Sequence, residues 1–102
     1  MSRELLTPDV VDQRLATLHA GWSGTTKELR RSIEFADFPT AVEFVNRLAP
    51  ICEELDHHPD LALRWRWVDV VLATHSAGGV TDLDLTLAER VDEVAAELPL
   101  AT

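Results

Sequence analysis

The hydrophobic period of this chain changes four times from end to end, and that switching limits the available folds more than any other property. Val11, Leu15 and Leu18 recur at helical spacing. Leu29, Arg31, Ile33 and Phe35 then alternate with Arg30, Ser32 and Glu34, the period of a half-buried strand. Ala41, Phe44, Val45, Leu48, Cys52 and Leu55 return to a helical stripe. Val68, Val70, Leu72 and Thr74 next share one face of an extended segment, opposite Trp67, Asp69, Val71, Ala73 and His75. Leu87, Val91, Val94, Ala95 and Leu98 form a last helical stripe. With a hairpin in each extended region the order is α-β-β-α-β-β-α. That order implies an α+β fold, a four-stranded antiparallel sheet with helices packed on one face.

Local signals place most of the boundaries. Thr7-Pro8-Asp9 reads as an N-cap, a first-turn proline and a first-turn acid, and Gly21 is expected to end that helix. Gly24, Thr25 and Thr26 mark a turn, so Trp22 to Phe35 reads as a hairpin. Pro39 opens the second helix, Pro50 should cost it one hydrogen bond and kink it, and Pro59 should stop it by about His57. Leu63 to Ser76 is rich in Trp and Val but holds no Gly, Pro or Asn, so no local signal positions its turn. Gly78-Gly79 is a break, Thr81 with Asp82 and Asp84 reads as a capped helix start, and Pro99 ends the last helix. The expected core contains Leu15, Leu18, Phe44, Leu48, Val70, Leu72, Val91 and Leu98. Neither linker nor repeat divides residues 1–102, so one domain is expected.

Charge narrows the function. Eighteen acidic against nine basic residues give a net charge of −9, which repels a phosphate backbone or an anionic membrane surface. No direct nucleic-acid or membrane partner is expected. Cys52 is the single cysteine, so neither an internal disulfide nor a cysteine-based zinc site can form. No apolar run approaches the ~18 residues of a membrane span, and Met1 to Leu6 lacks the apolar core of a signal peptide. The expected compartment is the cytoplasm.

Chemistry concentrates on histidine. His57 and His58 are adjacent, at the point where Pro59 stops a helix, so their rings can be aimed independently. His57 also lies at the helix C-terminus, where the dipole favours an imidazolium. His75 is expected to close the fourth strand on the face away from the core, just before Gly78-Gly79. Imidazole is the natural acid–base group near neutral pH. Glu53, four residues before His57, is placed to pair with it along the helix. Asp84 reads first as a helix N-terminal acid, and Trp22 as core or interface. Three histidines can also hold zinc, but this spacing matches no helical zinc motif and adjacent histidines rarely share one metal, so no metal is expected.

Glu53-Glu54-Leu55-Asp56-His57-His58-Pro59, then Trp65, then Thr74-His75, with Gly79 and Asp84 downstream, resembles the pterin-4a-carbinolamine dehydratase family over nearly the whole chain. Gly21-Trp22 and Phe35-Ala36-Asp37-Phe38 look like the family as well. Leu61 stands where the family commonly has an aromatic, Trp65-Arg66 where it often has Tyr-Asn at the turn between the third and fourth strands, and Pro50 is atypical. The resemblance implies a lyase that removes water from 4a-hydroxytetrahydropterin, giving the quinonoid dihydropterin of tetrahydrobiopterin recycling. It implies His57 and His75 as acid–base groups and His58 as a substrate-holding group. Asp84 would orient an imidazole or bind the pterin, while Trp22, Glu53 and Pro59 would shape the pocket. It implies no cofactor, a small-molecule pterin substrate, and a homo-oligomer, dimer or tetramer, formed by sheet extension. Two other readings share the resemblance: a non-catalytic dimerisation module for a transcription factor, and an enzyme for another, molybdopterin-related pterin.

Overall fold

Three helices and a four-stranded antiparallel sheet make up the computed structural model, which describes residues 3–102. Met1 and Ser2, the start of the stretch read as lacking a signal-peptide core, lie outside the described residues. The elements are α1 (Pro8–Leu15), β1 (Ser23–Gly24), β2 (Leu29–Glu34), α2 (Phe38–Leu55), β3 (Asp60–Arg64), β4 (Trp67–Leu72) and α3 (Asp82–Ala96), with a 3₁₀ turn at His75–Ala77. The α-β-β-α-β-β-α order is the one expected. In space the strands run β1-β2-β4-β3, so β4 is central and β3 is an edge.

The alternation read in the sequence is the register of the sheet. Leu29, Arg31 and Ile33 of β2 are buried, as are Val68, Val70 and Leu72 of β4. These two sets pair directly, Leu29 with Leu72, Arg31 with Val70 and Ile33 with Val68. Both α2 and α3 pack on β4 and on each other. Phe35 and Phe44 join sheet to α2, with ring centroids 5.0 Å apart. Arg31 is the one charged residue on this buried face, and it reaches Asp92 of α3 at 2.5 Å. Of the expected core, Phe44, Leu48, Val70, Leu72 and Val91 are fully buried. Leu15, Leu18 and Leu98 only flank it, because each lies at or beyond a helix end.

Two boundaries differ from expectation, at the end of the first helix and at His75. The first helix stops at Leu15 rather than near Gly21; Ala16 caps it, and the Thr17 hydroxyl donates to the Arg14 carbonyl at 2.7 Å, drawing off an acceptor that a longer helix would use. Pro50 lies inside α2, where it costs one hydrogen bond as expected, and both it and Asn46, whose carbonyl loses the bond, are exposed to water. The hairpin turn that no local signal positions is Trp65-Arg66, where the family resemblance puts it, closed by the Arg64–Trp67 pair. Trp65 takes φ 53°, a conformation that usually signals itself as Gly or Asn, while the Arg66 guanidinium lies 4.4 Å from the Trp65 ring centroid. Finally, His75 does not close the fourth strand: β4 ends at Leu72 and His75 opens the 3₁₀ turn.

Candidate active site

Two chain reversals build the site. At the first, α2 ends in a left-handed residue, Asp56 at φ 49°, one of the few side chains that tolerate this region. The His57 amide donates to the Cys52 carbonyl at 3.1 Å and the Asp56 amide to the Glu53 carbonyl at 3.2 Å, the paired bonds of a Schellman stop. The helix therefore ends two residues earlier than Pro59 alone requires. This reversal turns His57 inward, to 7% exposure, and leaves His58 exposed.

Beneath His57 lies Asp84, fully buried in the first turn of α3. Its Oδ1 is 2.6 Å from His57 Nε2. Its Oδ2 accepts from the Thr74 hydroxyl at 2.8 Å and from the Thr81 amide at 2.9 Å. The Thr81–Asp84 capping box that starts α3 thus also supports the imidazole. Asp84 lies behind His57, fully buried and not among the residues that line the cleft described below.

At the second reversal, Thr74 bridges to Gly79 and the intervening residues form the 3₁₀ turn. Gly78 adopts φ 80° with open space around it, so it serves the backbone conformation, whereas a Cβ at Gly79 would stand 2.5 Å from the Thr26 carbonyl oxygen, so Gly79 serves the close approach of the loop. His75 is held outward here, largely exposed, with Nε2 3.9 Å from Asp60 Oδ2. The result is an open cleft of about 240 Å³ lined by Arg3, Asp56, His57, His58, Ala73, Thr74, His75 and Ser76. All three sequence-predicted histidines line it, the buried one on its floor and the two exposed ones on its rim. Among the described residues no group of three or more His, Cys, Asp and Glu side chains is arranged to hold a metal ion, and no described helix is long and apolar enough to cross a membrane.

Comparison with known proteins bears on the same residues. The family model described as pterin 4 alpha carbinolamine dehydratase matches residues 4–94, and so spans both reversals. This chain belongs to the pterin-4a-carbinolamine dehydratase family. Within the family, it is 48% identical over 88 residues to a protein of Mycobacteroides abscessus, covering 86% of this chain and 93% of that one. It is 44% identical over 89 residues to one from Metallosphaera sedula, covering 87% and 92%. Both carry the dehydratase name provisionally. A crystal structure described as a transcriptional coactivator/pterin dehydratase from Brucella melitensis superposes with a TM-score of 0.84 at 39% identity, over 88% of this chain and 97% of that one. A pterin dehydratase-like protein described as a RuBisCO assembly factor in the alpha-carboxysome shares the fold at TM-score 0.60 and 23% identity, over 72% and 86%.

Three expected pocket residues of the dehydratase fold sit elsewhere. Glu53 pairs with His58 Nε2 rather than with His57, because the Asp56 reversal carries His57 off the helix surface. Glu53 and Pro59 line a separate apolar hollow of about 240 Å³ that His58 also borders, with Val45, Leu48, Cys52 and Leu61. Burial in that wall pushes the Cys52 thiol pKa up. Trp22 is buried away from the cleft, its Nε1 donating to Asp92 Oδ1 at 2.7 Å. Arg3, Asp60 and Ser76 were not singled out by the sequence, and Asp56 only as part of the Glu53–Pro59 motif; nothing in their spacing separates them from ordinary surface residues. Thr74 and Thr81 were visible, one beside His75 and one as a cap, but their meeting at Asp84 was not.

Proposed function

We propose that this protein is a hydro-lyase that dehydrates a pterin 4a-carbinolamine. The observation that carries this reading is the convergence on one cleft of three imidazoles from two chain reversals, one of them held from behind by a buried carboxylate. The reaction converts C4a–OH and N5–H into C4a=N5 and water. One group must give a proton to the departing hydroxyl while another takes the proton from N5. His57 and His75 are the acid–base pair, and exposed His58, braced by Glu53, holds the substrate at the rim. Each acid–base group contributes about 10²–10⁴ in rate. The chemistry needs neither redox change nor electron acceptor. An interaction module gains nothing from an imidazole buried against a carboxylate, which favours the enzyme reading.

The test is formation of the quinonoid dihydropterin from a chemically or enzymatically generated carbinolamine by purified protein. His57→Ala and His75→Ala should each lower turnover by roughly ten- to a thousandfold, and the double variant should lose more than either. His58→Ala should mainly raise KM, and His19→Ala should change nothing. Full activity in the folded double variant refutes the assignment.

A further inference from the structure

The hydrogen bonds behind His57 can be given directions, because an ionised carboxylate only accepts. Asp84 takes the Thr81 amide and the Thr74 hydroxyl on Oδ2, and meets His57 Nε2 on Oδ1. The N-terminus of α3 favours negative charge at this position. Thr74 has one hydroxyl proton, and Asp84 takes it. The contact between Thr74 Oγ1 and Thr81 Oγ1, 2.7 Å, must then be donated by Thr81. Thr81 Oγ1 still accepts from the Leu83 amide at 3.3 Å. Every proton in the set has one available place, and the chain runs from Thr81 to Thr74 to Asp84, with His57 donating from the other side.

With Nε2 facing a carboxylate that only accepts, the proton of the neutral ring belongs on Nε2, which leaves Nδ1 as the free lone pair. Among the described residues Nδ1 has no partner, and the single unpartnered buried side-chain nitrogen or oxygen is Arg66 Nε. His57 Nδ1 is accordingly open to the cleft that its ring lines. Thr74 stands at the junction. Its hydroxyl aims the carboxylate, while its backbone amide donates to Gly79 and its carbonyl accepts from Ala77 and Gly78, closing the loop that carries His75.

We propose that Thr74 is a positioning residue for the acid–base pair, and that the Thr81–Thr74–Asp84 chain makes Nδ1 the working nitrogen of His57. The proposal rests on the dehydratase reading for its catalytic consequence but not for its structural one. Asp84→Asn probes it sharply. Both fixed donors point at the Oδ2 position, so the amide oxygen must go there and the amide NH₂ must face His57 Nε2. That forces Nε2 to accept and moves the ring proton to Nδ1, where it blocks the base.

The experiment is ¹⁵N NMR of the imidazoles in the intact, pterin-free chain, alongside turnover of the carbinolamine. In the native protein His57 should show a slowly exchanging, far-downfield proton on Nε2. In Asp84→Asn the proton should appear on Nδ1, with kcat falling roughly 10²- to 10⁴-fold as a wrongly placed tautomer does elsewhere. Thr74→Val preserves shape and removes the hydroxyl. It should speed exchange of the Nε2 proton and lower kcat about tenfold or more with little change in KM, and Thr74→Ser should restore both. A native Nδ1 proton, an unchanged tautomer in Asp84→Asn, or Thr74→Val with native exchange and kcat overturns the proposal. Because the tautomer is read without substrate, absence of dehydratase activity together with these proton positions rejects the proposed reaction and leaves the relay standing.

Discussion

Replacing Asp92 by Ala tests the ion pair that ties the buried face of β2 to α3. Arg31 projects from the buried face of β2, its side chain 4% exposed, and its Nη1 lies 2.5 Å from Asp92 Oδ1. The same carboxylate accepts from Trp22 Nε1 at 2.7 Å and from the His19 amide at 2.9 Å. It therefore ties β2, the α1–β1 connection and α3 together. Removing the anion strands a buried cation and two further donors. One-sided loss from a buried pair costs about 3–5 kcal/mol; Asp92 itself is 20% exposed, so water relieves part of that, leaving about 2–4 kcal/mol. Arg31→Met should cost less, about 1–2 kcal/mol, because the carboxylate left behind keeps two N–H donors and its access to water. The two changes should also be non-additive by about 1–2 kcal/mol in a double-mutant cycle. Urea denaturation at neutral pH, with equal m-values confirming two-state behaviour, measures all three. If Asp92→Ala costs no more than Arg31→Met, or the cycle shows no coupling, the reasoning fails.

Other outcomes follow from the sheet and the site loop. Asp69, on the open face of β4, accepts from Arg64 at 2.8 Å and from Ser32 at 2.7 Å, and these bonds pull its pKa down to about 2. A depressed carboxylate stabilises the fold above its unfolded pKa and loses that contribution as pH falls from about 4 through about 2. The shift converts to at most about 2.5 kcal/mol, which solvent screening of a 28%-exposed side chain reduces to about 1 kcal/mol. Asp69→Asn should thus be destabilised at pH 7 and match the native protein near pH 2, as followed by pH-dependent melting. Gly79→Ala should cost about 2–4 kcal/mol, since its Cβ would strike the Thr26 carbonyl, whereas Gly78→Ala should cost only the αL penalty of about 1–2 kcal/mol; equal melting temperatures would refute that ranking. Self-association through β3 is expected, because this edge strand leaves one row of backbone groups unpaired and exposes Leu61, Leu63 and the adjoining Trp65. A monomer by light scattering at micromolar concentration would count against it, and Leu63→Lys should shift a dimer towards monomer.

What the sequence determined by itself was the periodic part of this protein. Alternation in Leu29–Phe35 and Val68–Thr74 set which side chains face the helices, because a one-residue slip would bury Ser32 and Asp69 in place of Ile33 and Val68. Thr7, Asp37 and Thr81 capped helices as their side chains require, since a cap is a contact within three residues of itself. The three histidines were legible as residue types, through the order and spacing of the motif around them. Tertiary structure alone decided their surroundings. The turn at Trp65-Arg66 and the αL stop at Asp56 carry no strong local signal, and are held by the strands and helix they join. Glu53 was four residues from His57 and went to His58 instead, while Asp84, 27 residues away, took His57. Arg31 found Asp92 across 61 residues. Local preferences act over a few residues, but a buried charge or ring nitrogen must find its partner wherever packing brings one within about 3 Å, and no spacing along the chain encodes that distance.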